Sequence, residues 1–367
     1  MTTPPKSVLV VSLRYFGDLL LTTPLIRAVA RGFAGAAVDV LATEGVGAML
    51  EGNPDVRNIV TVAAQPSLAQ SAALVRRLWR RYDLAVIAET GDRPHLYGAV
   101  AASRRAGLLP PSLLARWWKA PLLGRSVRFA PNERRIDAYR RLAEAMELPF
   151  VARTVVPTAG GSPAEWRLHL GLDAAGDSYA VVNVAPRFRY KRWHVRGWCT
   201  LFEWLHARGI RIVVSGGDAP GERDYVREIL AESAVPAIDV GGRLGFGETA
   251  DLLRGAALYV GPDTATSHLA AACGTPSVVL FGPTDPRLWG PIPGRGLATP
   301  YAAVAASQRR GNVLLLQEPS LSCVPCQGEG CERHRESFSA CLDALTAASV
   351  IEAAQALLSR SAVSAQT

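Results

Sequence analysis

The sequence predicts an α/β protein built from two Rossmann-like domains. Short apolar runs rich in Val, Leu and Ile alternate with helical patterns along the chain, as in parallel sheets covered by helices. The alternation pauses at a stretch rich in Pro and Gly, residues 154–164, and then starts again. With 367 residues, 49% of them hydrophobic, the chain is long enough to form two cores.

The predicted elements follow one another in strand–helix order in both halves. The first domain, residues 1–157, is expected to contain strand Ser7–Leu13, helix Pro24–Phe33, strand Val38–Ala42, helix Ser71–Arg81, strand Leu84–Ala88 and a basic helix Glu133–Glu147. The second domain, residues 158–345, is expected to contain strand Ala180–Val184, helix Gly197–Ala207, strand Ile210–Val214, helices Gly221–Ala231 and Thr249–Gly255, and strands Leu258–Val260 and Ser277–Phe281. An amphipathic helix, Ala347–Ser359, is expected in the last segment, residues 346–367.

Several classes of protein are disfavoured by what the sequence lacks. Neither half carries G-x-G-x-x-G after its first strand, and there is no G-x-x-x-x-G-K-[ST], so dehydrogenase-type dinucleotide sites and P-loops are not expected. No apolar run reaches the roughly 18 residues of a membrane-spanning helix. The first residues carry one lysine and pass straight into a strand, so we expect no signal peptide and a cytoplasmic protein.

Positive charge is concentrated in the first half of the chain. Residues 1–155 hold 21 Lys and Arg against 12 Asp and Glu, whereas residues 156–367 hold 19 against 20. A basic half is suited to nucleic acid, an anionic membrane surface or a phosphorylated acceptor, and an arginine-rich solvated surface explains it equally well. The stretch 108–129 combines aliphatic residues with Trp117, Trp118 and Lys119. It suits either an interfacial segment near membrane lipid or a helix facing the core.

A stretch of unusual chemistry, YVGPDTATSHLAAACGTPSVVLFGPTDP, occupies residues 259–286. A strand ends there in a turn containing Asp263 and Thr264, and His268 follows at the start of a helix. Open α/β sheets hold their ligands at the carboxyl ends of parallel strands, and a helix start offers unpaired N–H groups to phosphate. The stretch therefore predicts part of a nucleotide-diphosphate site, although His268 is equally well explained as a hydrogen-bonded packing residue.

The loop after the first strand carries a carboxylate, Asp18. Thr22 or Thr23 is a natural N-cap before Pro24, which places Asp18 in the loop and not inside the helix. A carboxylate at this edge can accept a proton from a bound hydroxyl group. On spacing alone, a turn residue that caps its own backbone is the simpler interpretation.

Four cysteines lie close together in the sequence CVPCQGEGCERHRESFSAC: Cys323, Cys326, Cys331 and Cys341. In a chain expected to be cytoplasmic, such spacing favours metal binding over disulfides, and four thiolates suit a structural zinc site. Free or redox-linked thiols and an iron–sulfur centre are the alternatives.

Three motifs together resemble the family 9 glycosyltransferases, the ADP-heptose:lipopolysaccharide heptosyltransferases, and most closely their heptosyltransferase III branch. They are VLVVSLRYFGDLLLTTPLIRAV, the KRW at residues 191–193, and GRLGFGETADLLRGAALYVGPDTATSHLAAACGTPSVVLFGPTDP. The resemblance implies a GT-B fold, in which two Rossmann-like domains face a cleft and the C-terminal helix crosses back to the first domain. It also implies inversion at the anomeric centre without a catalytic metal.

The resemblance assigns roles to single residues of this chain. Asp18 matches the proposed general base. The donor phosphates and sugar are implied to bind to Asp263, Thr264, His268 and Lys191, and Asp218 is a looser match to a residue that meets the adenosine ribose. Arg187 stands where many members carry a hydroxyl group and would be a substitute phosphate contact. No D-x-D pair stands out as a metal site, so fixed cations are expected to take up the leaving-group charge.

The resemblance favours an inverting heptosyltransferase that takes an ADP-sugar donor and a lipid-linked acceptor, the lipopolysaccharide inner core. Weak peripheral contact with the inner face of the cytoplasmic membrane is expected, and no nucleic acid partner. Two alternatives remain at this stage: a nucleotide-sugar 2-epimerase, which needs no acceptor, and a non-catalytic zinc-bearing module that binds nucleic acid.

Overall fold

The computed structural model describes residues 3–172 and 177–364, with side chains up to residue 359. It divides into two compact units, an N-terminal unit of residues 1–157 and a C-terminal unit of residues 158–367. Among the described residues, no helix combines the length and the apolar character needed to span a bilayer.

The N-terminal unit is a parallel sheet with helices between its strands. Its elements are β1 (Ser7–Val11), α1 (Phe16–Gly32), β2 (Ala37–Thr43), β3 (Asn58–Val62), α2 (Leu68–Leu78), β4 (Leu84–Ile87), α3 (Asp92–Ala101), β5 (Arg104–Leu109), α4 (Leu113–Arg116), β6 (Arg125–Arg128) and α5 (Arg135–Ala145). The strand order is β3-β2-β1-β4-β5-β6, and each neighbouring pair is parallel. This is the doubly wound Rossmann order.

The central strands of this sheet are apolar on both faces. All four residues of β4, Leu-Ala-Val-Ile, are buried, as are the last four of β1. Strands covered by helices on both sides need this composition, because every side chain then faces a core.

The C-terminal unit repeats the same plan. Its elements are α6 (Pro163–His169), β7 (Tyr179–Ala185), α7 (Val195–His206), β8 (Arg211–Gly216), α8 (Pro220–Glu232), β9 (Ile238–Asp239), α9 (Phe246–Gly255), β10 (Leu258–Pro262), α10 (Ala265–Cys273), β11 (Ser277–Leu280), α11 (Pro286–Trp289), β12 (Ser307–Arg310), β13 (Val313–Leu316), α12 (Ala340–Asp343) and α13 (Ala347–Ser364). The strand order is β12-β13-β11-β10-β7-β8-β9, and only the β12–β13 pair is antiparallel. Apart from that added edge strand, the order matches that of the first sheet.

Helix α13 belongs by its contacts to the C-terminal unit. Its buried side chains Val350, Ala353, Ala354 and Leu357 lie in the same apolar core as Trp198 of α7. These residues recur every three or four positions, so they form one stripe of the helix, and that stripe packs on the sheet. The implied return of this helix to the first domain concerns the relation between the units and stays a prediction.

Each sheet reverses its winding direction once. In the N-terminal unit the reversal lies between β1 and β4, and in the C-terminal unit between β7 and β10. The loops that leave these strands on opposite faces open a crevice at the carboxyl end of the sheet, where ligands of such folds bind. The predicted residues Asp18, Lys191 and Asp263 all follow one of these four strands.

Candidate active site

Asp18 lies inside helix α1, not in the loop that the sequence predicted. The helix begins at Phe16, with Tyr15 as N-cap, so Asp18 occupies the third position of its first turn. A carboxylate there faces the positive end of the helix dipole, which favours it. Its side chain is only 6% exposed.

The expected cap, Thr22 or Thr23, is a buried interior pair. Thr23 Oγ1 donates to the carbonyl oxygen of Leu20 at 2.7 Å. In a regular helix that carbonyl would accept from residue 24, which is Pro24 and has no N–H. The Thr23 hydroxyl therefore satisfies the group that the proline leaves open, and the helix runs through the predicted start site.

Two arginines flank the Asp18 carboxylate. Arg14 Nε lies 3.2 Å from Oδ2, and Arg135 Nε, from α5, lies 3.1 Å from Oδ1. The Arg135 contact is an ion pair without hydrogen-bond alignment, so within the described part of the chain Oδ1 has no hydrogen-bond donor. The carboxylate thus lies between two cations, and its buried oxygen Oδ1 can still accept a hydrogen bond.

A second buried carboxylate, Glu89, lies at the same edge, directly after β4, and the sequence reasoning missed it. Its Oε1 accepts hydrogen bonds from the main-chain N–H groups of Leu13 and Arg14 and from Ser12 Oγ, the last at 3.3 Å. Burial raises the pKa of Glu89, and the nearby Asp18 charge raises it further, against the lowering effect of these bonds and of Arg135. An acidic residue after a buried strand, as in AVIAETGD, is the signal that could have found it.

The C-terminal unit holds a lysine–aspartate pair at its own winding reversal. Lys191 Nζ, in the loop after β7, lies 2.7 Å from Asp263 Oδ2 and also donates to the Asp263 main-chain oxygen at 3.0 Å. His268 Nε2 lies 3.8 Å from Asp263 Oδ1. The structure therefore brings together three of the residues predicted to bind the donor.

Electrostatics keeps both partners of this pair charged. Burial raises the pKa of Asp263, but Lys191 and His268 outweigh it and hold that pKa well below its ordinary value. Burial likewise lowers the pKa of Lys191, and the Asp263 carboxylate outweighs it and holds the pKa above its ordinary value. The Lys191 ammonium group is therefore charged and held by Asp263 at this strand end.

The buried Trp193 fixes the loop that carries Lys191. Its indole packs edge-on against Trp198, with ring centroids 4.8 Å apart, and its Nε1 donates to the main-chain oxygen of Leu345 at 2.8 Å. The Trp193 carbonyl accepts from the Tyr225 hydroxyl. Trp193 therefore anchors to the core the loop that carries Lys191, two residues earlier. This is the structural role of the tryptophan in the KRW motif.

Helix α10 begins beside this pair, with Thr264 as its N-cap. The Ser267 hydroxyl is occupied locally, since it donates to Pro262 O and contacts the Tyr259 hydroxyl at 2.8 Å. The first N–H groups of any helix lack partners within that helix and attract anions. The Lys191 ammonium and the α10 N-terminus thus lie at the same strand end.

Arg187 and Asp218 are both exposed, and the structure places them around a third residue, Glu222. Glu222, on α8, is half-buried, and its charge interacts with those of Arg187 and Asp218. Burial raises the pKa of Glu222. The sequence reasoning missed Glu222, although it lies in the same SGGDAPGE stretch as Asp218.

The comparison with known proteins decides the family. The model of glycosyltransferase family 9, the heptosyltransferases, matches residues 95–310, which is more than half of the chain. The chain belongs to glycosyltransferase family 9. The resemblance drawn from the motifs is confirmed, and the epimerase and the nucleic-acid-binding module are set aside.

Proteins similar to this glycosyltransferase are themselves named heptosyltransferases or family 9 glycosyltransferases. Lipopolysaccharide heptosyltransferase 3 of Escherichia coli is 27% identical over 311 residues, which cover 76% of this chain and 84% of that protein. A solved family 9 glycosyltransferase from Veillonella parvula DSM 2008 superposes with a TM-score of 0.75 at 18% identity, over 97% of both chains. The ADP-heptose lipopolysaccharide heptosyltransferase II of E. coli gives a TM-score of 0.72 at 19% identity, over 97% of this chain and 99% of that one. The fold of this glycosyltransferase is therefore the α/β, GT-B type.

The cysteines of this glycosyltransferase do not form the predicted zinc site. Cys323, Cys326 and Cys331 are exposed in turns, and Cys341 is buried at the start of α12. Burial raises the pKa of the Cys341 thiol to about 12, and the neighbouring Cys326 and Cys331 contribute to the same increase. Among the described residues, no three His, Cys, Asp or Glu side chains are placed to hold a metal ion.

The cysteine-bearing segment instead packs beside the lysine loop. Ser339 Oγ donates to the main-chain oxygen of Tyr190 at 2.6 Å, next to Lys191 in the chain. The Gln327 main-chain N–H donates to Pro283 O at 2.7 Å, in the turn after β11. The segment therefore contributes contacts to the loops at this strand end.

The tryptophan-bearing stretch of the N-terminal unit is only partly as predicted. Helix α4 is short and leaves Leu113, Leu114 and Trp117 exposed, the last to 70%, so it is not a core-facing helix. Lys119, however, is buried, with Nζ 2.6 Å from Asp92 Oδ1 and donating to Thr90 O at 2.9 Å. The prediction that Lys119 lies on a basic surface is therefore wrong, because these two oxygens hold its ammonium group inside the unit.

Proposed function

We propose that this glycosyltransferase transfers a heptose from ADP-heptose to the lipopolysaccharide inner core, with inversion and without a catalytic metal. The observation that carries the proposal is the Lys191–Asp263 pair beside the N-terminus of α10. It provides a fixed ammonium group beside the first main-chain N–H groups of a helix, which is the chemistry that a diphosphate requires.

The donor chemistry follows from this arrangement. As the bond between the anomeric carbon and the diphosphate oxygen breaks, its electron pair leaves with the diphosphate, and negative charge grows there. Lys191 and the first N–H groups of α10 are held in place before the reaction, so they stabilise this charge without first having to reorganise. The same fixed charges bind the diphosphate in the ground state.

Asp18 is proposed to take the proton of the acceptor hydroxyl. The acceptor oxygen forms the new bond to the anomeric carbon as its proton passes to the carboxylate, and a single displacement of this kind inverts the configuration. Support comes from the buried Asp18 Oδ1, which lies beside a cation yet lacks a hydrogen-bond donor within the described residues.

The remaining donor contacts are proposed for the exposed end of β8. Asp218 and Glu222 offer carboxylate oxygens to the hydroxyl groups of a ribose, and Arg187 offers a cation to the phosphates. His268 is proposed to contact the donor through Nδ1, which has no hydrogen-bond partner among the described residues. Thr264, as N-cap, lies where its hydroxyl can meet a phosphate oxygen.

We propose that the reaction takes place at a membrane surface. A lipid-linked saccharide lies at a bilayer surface, and we propose that the N-terminal unit meets the cytoplasmic face of that bilayer. Its excess of basic residues suits anionic lipid, and the exposed Leu113, Leu114 and Trp117 suit the interfacial region.

The test is a donor and acceptor screen on the purified protein. Adenosine diphosphate and ADP-heptose should raise the melting temperature, since ligands that bind only the folded state stabilise it, whereas UDP and GDP should have little effect. ADP should be released from ADP-heptose only when a lipid-linked inner-core acceptor is added, and treatment with EDTA should leave the rate unchanged. Release without acceptor, or a strict requirement for Mg²⁺, would contradict the proposal.

A further inference from the structure

The edge of the N-terminal sheet concentrates more charge than one general base needs. Two buried carboxylates, Asp18 and Glu89, lie there, and their negative charges repel each other. Two like charges in a shared low-dielectric site tend to bind a proton between them. A base in such a place works only if something offsets the second negative charge.

Arg135 is placed to offset it. Its Nε lies 3.1 Å from Asp18 Oδ1, its charge also interacts with Glu89, and its guanidinium lies over the Phe129 ring with Cζ 5.1 Å from the centroid. The side chain is only 10% exposed. Because the Asp18 and Tyr139 interactions outweigh its burial, the pKa of Arg135 is raised and the side chain stays charged.

The position of Arg135 is poor for stability. It is the first residue of α5, where the helix dipole disfavours a cation, and it is buried, where a cation loses hydration. Arg141, on the same helix, shows the ordinary alternative: it is exposed and paired with Glu133. A buried arginine at a helix start is therefore explained by what it does for its neighbours.

Neutral hydroxyls complete the surroundings of these charges. Tyr139, one turn along α5, contacts Thr22 Oγ1 at 3.0 Å, and Thr22 donates to the Asp18 main-chain oxygen at 2.8 Å. Ser12 Oγ lies 3.4 Å from Thr22 Oγ1 and donates to Glu89. The charged groups that face Asp18 are thus Arg14 from the loop after β1, Glu89 from the loop after β4 and Arg135 from α5.

We propose that Arg135 is a positioning residue: its guanidinium, 3.1 Å from Asp18 Oδ1, offsets the second negative charge that Glu89 brings to this site, so that the Asp18 carboxylate can accept the acceptor proton. Glu89 holds the loop of Ser12 to Arg14 through its three hydrogen bonds, and Arg135 compensates for the charge that this loop anchor introduces. The inference rests on the proposed role of Asp18 as base.

The test is the pH dependence of turnover in Arg135→Met. An opposite charge at this distance lowers the pKa of a carboxylate by about 1–3. Without that charge, the pH at which kcat falls on the acid side should therefore rise by about the same amount. At high pH the variant should return to within a few-fold of the wild-type kcat. Arg135→Lys should recover at least half of the shift, and adding Glu89→Gln to Arg135→Met should move the limb back towards the wild type.

Two comparisons separate the possible failures. Arg141→Met removes a charge from the same helix away from the carboxylates and should leave the acid limb in place. If Arg135→Met lowers kcat equally at every pH, or keeps the wild-type limb, while Asp18→Asn is inactive, the role of Arg135 is refuted and the role of Asp18 stands. If Asp18→Asn itself keeps wild-type turnover, the proposed function fails first.

Discussion

Replacing Lys191 by methionine should separate two effects that the lysine combines. The change keeps the apolar stem and removes the ammonium group that lies 2.7 Å from Asp263 Oδ2. It therefore removes the proposed diphosphate contact and, in the same step, leaves the buried Asp263 carboxylate without its ammonium partner, with the His268 ring 3.8 Å away.

The expected loss of stability follows from burial. Removing one partner of a buried ion pair costs about 3–5 kcal/mol. The lower end applies here, because the Lys191 side chain is 20% exposed, so water can reach the site. At about 2–4 °C per kcal/mol for a unit of this size, the melting temperature of the C-terminal unit should fall by about 6–12 °C.

The expected loss of donor affinity is separate. A hydrogen bond to a charged group contributes about 1.5–3 kcal/mol, which corresponds to a weakening of ADP binding by about 10- to 150-fold. The double variant Lys191→Met/Asp263→Asn removes both charges. It should regain most of the stability, to within about 1 kcal/mol of the wild type, and should still bind ADP weakly.

The assay is calorimetric ADP titration together with denaturant unfolding of both variants. Arg227→Met is the matched control, since it breaks an exposed Arg227–Asp224 pair in the same unit. It should change stability by less than about 1 kcal/mol and leave ADP affinity unchanged. ADP binding within two-fold of the wild type in both Lys191 variants would refute the diphosphate contact, and an unchanged stability of Lys191→Met would refute the reasoning on the buried pair.

Three further outcomes are expected. Asp18→Asn should lower turnover by about 10²–10⁴-fold and leave donor affinity within a few-fold, because the base acts only as the new bond forms; a folded variant with near wild-type turnover would end that assignment. Because the folded-state pKa of Asp263 lies below its ordinary value of 3.8 and that of Lys191 above its ordinary value of 10.5, the stability advantage of the wild type over Lys191→Met/Asp263→Asn should be constant between these values. It should shrink as the pH falls further below 3.8 or rises further above 10.5, and a loss near neutral pH would be inconsistent with the pair. Co-sedimentation with vesicles should increase with anionic lipid, fall with salt and weaken in Trp117→Ser, whereas equal binding to neutral vesicles at any salt would argue against membrane contact.

The sequence was a good guide wherever the apolar pattern was strong. The buried strands β1, β4, β7 and β10 were all expected, and the predicted site residues Asp18, Lys191 and Asp263 follow three of them. Parallel strands covered on both faces must be apolar throughout, so they are visible in the sequence without any knowledge of their partners.

The sequence failed where local signals were ambiguous. The run Thr22-Thr23-Pro24 has the form of a helix start, yet α1 passes through it because a threonine hydroxyl replaces the missing proline N–H. The edge strand β6, Arg-Ser-Val-Arg, was missed because three of its four residues are exposed and it has only one neighbour. Its identity as a strand depends on pairing with β5, which no local pattern reveals.

Glu89 and Arg135 were missed for a different reason. Each is a charged residue whose partners lie far away in the sequence. Glu89, for example, accepts a hydrogen bond from the Arg14 N–H, 75 positions apart. The partners that bury such a residue lie elsewhere in the chain, so for Glu89 the only local signal was its position after a buried strand. The cysteines failed in the opposite direction: they are close in the chain, yet in the part of the chain that the structure describes they are not placed to hold a metal ion.

The Lys191–Asp263 bond has a consequence for the end of the catalytic cycle. The ammonium group is oriented by two oxygens of Asp263, and the buried Trp193 anchors the loop that carries it. The groups proposed to hold the donor contact its diphosphate, and the diphosphate is retained in the product ADP. On the proposed function, ADP left after transfer keeps these contacts and competes with fresh donor. We therefore expect product inhibition by ADP, with departure of the nucleotide slowing the enzyme more than formation of the glycosidic bond.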